Sequence, residues 1–295
     1  MSTASEGALP RPHGRCPAFD LRAAVAGART RGWPLVMGIL NVTPDSFSDG
    51  GRFADAGSAV EQALRLAQQG ADIIDVGGES TRPGAMAVSE EQECARVLPV
   101  IDAVRARCGV PISIDTSKAG VMRRAVETGA ALVNDVRALR DAGALDTVAA
   151  LGVPVVLMHM QGEPRTMQQA PRYDDVVREV TGFLLERARA CETAGVPHDQ
   201  IALDPGFGFG KTLAHNLALL KNLRALADLG YPVLAGLSRK SMIAQMIDRA
   251  VDARVHASVA LALAAAARGA AILRVHDVAA TVDALRVTAR VQAGD

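Results

Sequence analysis

The chain alternates short apolar runs with longer amphipathic segments. The runs are LVMGIL (35 to 40), DIIDV (72 to 76), ISI (112 to 114), ALV (131 to 133), VVLM (155 to 158), IAL (201 to 203), VLAGL (233 to 237) and AILRV (271 to 275). Short continuous apolar runs are what parallel strands buried on both faces look like. Between them the helical period predicts helices over 54 to 69, 89 to 108, 117 to 128, 138 to 151, 173 to 194, 215 to 229, 239 to 247, 255 to 268 and 278 to 291. In the second of these, Ser89 and Gln92 have capping-box spacing, Val97, Ile101, Val104 and Cys108 share a face, and Pro99 predicts a kink.

One turn signature recurs before each run: Gly, one or two connecting residues, then the apolar stretch. The glycines are Gly32, Gly70, Gly109, Gly129, Gly152, Gly195, Gly230 and Gly269, five of them in a Gly-X-Pro sequence. Gly just past a helix takes the left-handed conformation without a Cβ penalty, and a following Pro stops the helix. Eight strands alternating with about eight helices predict an α/β fold, a single (β/α)8 TIM barrel over residues 31 to 295 with its active site at the C-terminal ends of the strands. An open doubly wound sheet is the structural alternative. Residues 1 to 30 read as a loose N-terminal extension with a short helix near residues 19 to 29.

Composition narrows the picture. Of 295 residues 49% are apolar but only 3% aromatic, which argues against a β-sandwich and for an aliphatic, helix-rich protein. Lys plus Arg and Asp plus Glu are 32 each, a formal net charge of zero. Nucleic acid and anionic membrane are therefore not expected partners. Cys16, Cys94, Cys108 and Cys191 lack metal-ligand spacing, the N-terminus lacks a signal-peptide pattern, and no apolar stretch is long enough to span a bilayer, so a cytoplasmic protein is expected.

A barrel builds its site where strands end, and polar residues gather there. The exits carry Asn41 with TPDSFSDGG; Gly77 to Arg82; Asp115 to Lys118; Asn134 and Asp135; His159; Asp204 with PGFGFGKT; Ser238 to Ser241; and Arg274, His276 and Asp277. Asp115, Asn134 and Asp204 form an acceptor-rich floor suited to a flat heterocycle with N–H donors, unless they merely cap the following helices. Arg82, Lys240, Arg274 and His276 supply cationic donors around the rim, the chemistry of a phosphate or diphosphate ester. His159 reads equally well as a structural histidine, and Arg254, at a helix start, as an ordinary helix residue. The glycine loop PGFGFGKT has Pro205 and Lys211 where the Walker and dinucleotide patterns need Gly, so it matches neither. Phe47, Phe53, Phe207 and Phe209 lie in loops after strands, where a flat aromatic substrate would be held.

MGILNVTPDSFSDGG (37 to 51), DVGGESTRPGA (75 to 85), SIDTSK (113 to 118), VND (133 to 135), MHMQGEPRTMQ (158 to 168), LDPGFGFGK (203 to 211), GLSRKS (236 to 241) and RVHDV (274 to 278) together closely resemble the dihydropteroate synthase family. The resemblance runs in order from about residue 35 to 290. It implies a transferase of folate biosynthesis that joins 4-aminobenzoate to (7,8-dihydropterin-6-yl)methyl diphosphate and releases diphosphate. It further implies that Asp115, Asn134, Asp204 and Lys240 hold the pterin, that Thr81, Arg82, Arg274 and His276 serve the diphosphate, and that Phe47, Pro83, Phe209 and Ser241 shape the aminobenzoate pocket. Asp115, Lys240 and Arg274 would be the catalytic groups, Asn41 would bind Mg²⁺, and the protein would be a homodimer. Ala257 stands where the family pattern leads one to expect Gly. Two rivals remain at this level: a pterin-binding methyltransferase domain, which would not need the cationic set, and a non-catalytic pterin or phosphate binder, against which the intact DSFSDGG and ESTRPG loops argue.

Overall fold

Residues 19–42, 52–80, 87–163 and 166–294 are described in a computed structural model, with side chains from residue 56 in the second stretch. The elements follow the predicted alternation. In chain order they are α1 (Leu21–Arg31), β1 (Leu35–Asn41), α2 (Arg52–Gln68), β2 (Ile73–Gly77), α3 (Glu90–Arg107), β3 (Ile112–Asp115), α4 (Ala119–Thr128), β4 (Leu132–Asp135), α5 (Ala144–Leu151) and β5 (Val155–Met158). They continue as α6 (Val176–Thr193), β6 (Ile201–Asp204), α7 (Leu213–Lys221), α8 (Leu223–Ala227), β7 (Leu234–Ala235), α9 (Ser241–Ile247), α10 (Val255–Ala266), β8 (Ile272–Val275) and α11 (Val278–Ala293). All pairings are parallel, in the order β6-β5-β4-β3-β2-β1-β8-β7. A parallel bridge between Leu203 and Val233 joins the two outer strands and closes the barrel, which sets aside the open sheet. Among the described residues no helix is long and apolar enough to cross a membrane.

The entry turns behave as the glycine signature requires. Every one of the eight glycines except Gly109 has positive φ; at that turn α3 ends instead on Cys108 in an extended conformation. The Ser89–Gln92 capping box forms, and α3 runs unbroken through Pro99. Two helices are shorter than their periodicity suggests. The segment from 138 begins as a turn, because the Asp135 carboxylate accepts the N–H groups of Arg137 at 2.8 Å and Leu139 at 2.7 Å. Ala138 and Leu139 there take φ of 54° and 55°, so the helix starts only at Ala144 after Gly143. The segment from 215 divides at Asn222, whose Nδ2 donates to the Ala218 carbonyl at 2.9 Å.

The extension expected to be loose through residue 30 is ordered from residue 19 onward. Asp20 caps α1 by accepting from the Ala23 N–H at 3.1 Å. Leu21, Val25 and Ala28 pack on Leu35, Met37, Ile73, Leu132, Val156, Ala202, Leu234 and Ile272, which alternate with the outward-facing strand residues and so fill the barrel at the strands' N-terminal ends. Arg31 fastens the helix with two bonds to Asp72, at 2.6 and 2.5 Å. Burying Leu21 completely is worth about 1.5–3 kcal/mol in transfer terms, which the sequence pattern of Ala and Arg around it conceals. Residues 1–18 lie outside the described residues.

Candidate active site

Side chains alternate across a strand, and this period sorts the barrel into two chemistries. Outward positions such as Val36, Leu40, Ile74, Val76, Ile112, Ile114, Val133, Leu157, Leu203 and Leu273 belong to the main apolar core beneath the helices. On four strands the inward column starts apolar at the bottom and turns polar at the top, Ile73 then Asp75, Leu132 then Asn134, Ala202 then Asp204 and Ile272 then Arg274, and on β3 it is polar throughout, Ser113 then Asp115. Asn41, Asp115 and Asp204 are the last residues of their strands, with Asn134 one short of its strand end. Ladder pairing therefore holds them, rather than a flexible loop, and Asn41 pairs with Gly77, Gly77 with Asp115, and Asp115 with Asn134 across four consecutive strands.

The floor is a single hydrogen-bonded unit. Arg274 donates from Nε to Asp75 Oδ2 and from Nη2 to Asp115 Oδ2, both at 2.6 Å. Asn134 Nδ2 donates to the same Asp75 Oδ2 at 3.1 Å. Burial raises the Asp115 carboxyl to about 7; Arg274 opposes that rise and the negative charge of Asp75 adds to it. Asp204 accepts from the Gly206 N–H at 2.7 Å, and burial pushes its carboxyl above the usual range against the pull of Lys240. Lys240 is drawn down to about 8 by burial, opposed chiefly by Asp204. Its ammonium donates to the Phe207 carbonyl and sits 4.8 Å from the centre of the Phe209 ring, a cation–π contact.

The loop after β6 is shaped by one lysine. Lys211 is 3% exposed and its ammonium donates to the carbonyls of Gly206 and Phe209, each at 3.0 Å, and of His159 at 3.3 Å. It also lies 3.0 Å from His159 Nδ1. Burial brings Lys211 down to about 7 and, together with that neighbouring ammonium, brings His159 down to about 3, so His159 is a neutral structural acceptor. Gly206 has φ of 66°, and a Cβ there would collide with the His159 carbonyl oxygen, which explains why only Gly serves at this close approach. Phe209 closes a small cluster with Val136, Met158, Met160 and Met167 at the barrel mouth. Phe207 does not face a ligand as its loop position suggested: it is wholly buried in the main core, between Gly206 and Gly208, both at positive φ.

The turn after β7 is held from behind. Arg239 has φ of 57°, its N–H donates to Ser258 Oγ at 3.0 Å, and its Nε donates to Asp277 at 3.0 Å. Arg254 Nη1 donates to the Arg239 carbonyl at 3.0 Å, so the residue that read as an ordinary helix start braces the turn that aims Lys240. Ser238 Oγ accepts the His276 N–H at 3.2 Å and lies 3.1 Å from its Nδ1. Ser241 opens α9 and is exposed.

The structure thus brings Asp115, Asn134, Asp204, Lys240, Arg274 and His276 to one end of the barrel, with Phe209 and Asn41 at its mouth. It corrects the place of Arg274, expected on the cationic rim: the side chain lies in the floor, engaged by two carboxylates. Lys118 belongs to neither floor nor rim; it bridges Glu79 and Glu93 at 2.6 Å each. Phe47, Thr81, Arg82 and Pro83 lie outside the described residues, as does the Phe53 side chain. Asp75 and Lys211 are the residues that sequence reasoning missed. Asp75 had a signal: it is the one charged residue within the run IIDV, two positions from Ile73 and from Gly77, so alternation sends it into the barrel. Lys211 had none beyond its place in the LDPGFGFGK stretch, since its partners are backbone carbonyls.

Comparison with known proteins agrees with this geometry. The family model described as pterin binding enzyme matches residues 37–276. The dihydropteroate synthase of Haemophilus influenzae is 54% identical over 254 residues, 86% of this chain and 92% of that protein. The Xanthomonas albilineans dihydropteroate synthase solved with 4-aminobenzoic acid superposes with a TM-score of 0.85 at 57% identity, covering 89% of this chain and 94% of that one. The same enzyme in complex with 7,8-dihydropteroate gives 0.82 at 55% identity, with 89% and 95% covered. A closed eight-stranded barrel with an acceptor floor, the Lys240 ammonium beside it and this extent of likeness leave one assignment: the chain belongs to the dihydropteroate synthase family of pterin-binding enzymes.

Proposed function

We propose that this transferase condenses 4-aminobenzoate with (7,8-dihydropterin-6-yl)methyl diphosphate, with Asp115, Asn134, Asp204 and Lys240 holding the pterin. The observation that carries the reading is the floor itself: carboxylates and a carboxamide on adjacent strand ends, bound into one unit with Arg274. A pterin edge offers amidine-like N–H donors and a carbonyl, which such acceptors and the Lys240 ammonium match. His276 stands nearest the last strand exit, where barrels hold phosphate, and with Thr81 and Arg82 it would serve the diphosphate, while Arg274 would add its positive charge from the floor, where Asp75 and Asp115 engage it. Phe209 and Ser241, with Phe47 and Pro83, would shape the aminobenzoate pocket. A second copy of the chain is the expected partner, for which the exposed Met246, Ile247 and Val251 supply apolar surface.

In the reaction the methylene C–O bond to diphosphate breaks and a C–N bond to the arylamine forms, with loss of the amine proton. Charge develops on the methylene as diphosphate departs; the electron-rich pterin shares it, and ionised Asp115 beneath the ring stabilises it in a low-dielectric site. The weakly basic amine then attacks, and no covalent enzyme intermediate is required. Among the described residues no three His, Cys, Asp or Glu side chains gather as a metal cage. The single carboxamide oxygen of Asn41 at the barrel mouth fits an ion that keeps most of its waters and shares substrate phosphates, as Mg²⁺ does. When bound, Mg²⁺ would neutralise charge on the leaving diphosphate.

The test is release of diphosphate by purified protein given the pterin diphosphate, 4-aminobenzoate and Mg²⁺ together. Release is expected only with the full set. None with the full set, or equal release without 4-aminobenzoate, refutes the reading.

A further inference from the structure

Asp75 is completely buried in the barrel, and no part of the reaction as derived above uses it. One of its oxygens, Oδ2, receives two donors, Arg274 Nε at 2.6 Å and Asn134 Nδ2 at 3.1 Å. The other, Oδ1, is buried with no partner. Its register neighbour on β3 is Ser113, whose buried hydroxyl is likewise unpartnered. Asp75 therefore turns away from the nearest strand neighbour and toward two residues of the floor. A residue kept for stability would satisfy both oxygens, since a buried acceptor without a donor is a cost to the fold.

The chemistry of the three groups fixes what this contact does. A carboxylate can only accept, and an arginine can only donate. The Asn134 carboxamide can present either end to Asp75, but turning Oδ1 toward Oδ2 would set two acceptors face to face. Nδ2 must point at Asp75, and Oδ1 must point the other way. The same oxygen fixes Arg274 at Nε while Asp115 fixes it at Nη2, so the guanidinium has one plane and one rotamer.

We propose that Asp75 is a positioning residue for the pterin: it turns the Asn134 carboxamide so that an acceptor, not a donor, faces the substrate, and it holds the Arg274 guanidinium flat between β2, β3 and β8. This rests on the assignment of the floor to a pterin. It makes the floor's donor–acceptor pattern a property of Asp75 as much as of the residues that touch the ligand, and it selects for a heterocycle edge bearing N–H at the Asn134 position over an isostere bearing a lone pair there.

Asp75→Asn keeps the shape of the side chain but can donate, so it permits the Asn134 amide to flip and leaves Arg274 one carboxylate short. The expected result is a KM for the pterin diphosphate raised about 10- to 100-fold, with the KM for 4-aminobenzoate unchanged within about twofold. The acid limb of the kcat/KM profile should also move to lower pH. The charged groups acting on Asp115 are Arg274, Asp75, Glu93 and Asp135, and removing the negative charge of Asp75 leaves Arg274 less opposed. A variant with wild-type KM for the pterin diphosphate and an unmoved limb overturns the proposal. Should Asp75→Asn fail to fold, neutron diffraction from wild-type crystals soaked with 6-hydroxymethylpterin decides it: deuterons on the Asn134 atom facing Asp75 are expected, and deuterons facing the pterin overturn it. A wild-type protein that releases no diphosphate refutes the underlying assignment, whereas an active wild type beside an indifferent Asp75→Asn refutes the positioning role alone.

Discussion

Lys211 is where one side chain sustains the most backbone. In Lys211→Met the ammonium that joins the His159, Gly206 and Phe209 carbonyls disappears. Gly206 O keeps a second donor, the Phe209 N–H at 3.1 Å, so two carbonyls, those of His159 and Phe209, lose the donor the structure gives them. Each costs about 1–3 kcal/mol when left buried and unpaired, or about 2–6 kcal/mol together. Removing a charge that burial already penalises recovers part of this, which leaves a net loss of about 2–4 kcal/mol. For a chain of this size that lowers the thermal midpoint by roughly 3–7 °C. The loop that seats Phe209 and gives Asp204 the Gly206 N–H would loosen with it, so pterin affinity should fall in parallel. Thermal unfolding followed by circular dichroism measures the first effect and titration with 6-hydroxymethylpterin the second. A Lys211→Met protein as stable as wild type, with equal pterin affinity, would show that the carbonyl cradle does not hold the loop.

Pterin binding should have a pH window set by two floor groups. Asp115 accepts best when ionised, above about 7, and Lys240 donates a full charge only below about 8; affinity measured by calorimetry should therefore peak between about 7 and 8 and fall on both sides, and a flat profile from pH 5 to 9 contradicts these roles. Leu21→Ala should destabilise the barrel by about 2–5 kcal/mol, seen as a lower denaturation midpoint with unchanged KM values, because Leu21 is fully buried at the end of the barrel opposite the site. An unaffected midpoint would return α1 to the status of a loose extension.

Strand number and the alternation of strands with helices were legible because each is written locally: an apolar run, a glycine turn, a helical period. The site was legible as far as residue type at strand exits could carry it, which placed Asp115, Asn134, Asp204 and Lys240 together. Helix lengths failed where a side chain competed for the backbone, as Asp135 does ahead of α5. The place of Arg274 was missed for a different reason. Its carboxylate partners lie 199 and 159 residues away in sequence, and nothing in RVH distinguishes an arginine that meets solvent phosphate from one already claimed by Asp75 and Asp115.

The sequence by itself determined the (β/α)8 alternation, the end of the barrel at which chemistry would sit, and the family, since these rest on periodicity, turn residues and motifs read along the chain. Only the tertiary structure decided how the barrel closes, what α1 covers, which phenylalanine is core and which lines the mouth, and which end of its carboxamide Asn134 turns toward Asp75. Those depend on which lone pairs and N–H groups meet across the lumen. Closure of eight strands into a ring brings together groups that no local pattern couples, and hydrogen-bond complementarity among them then fixes each side chain.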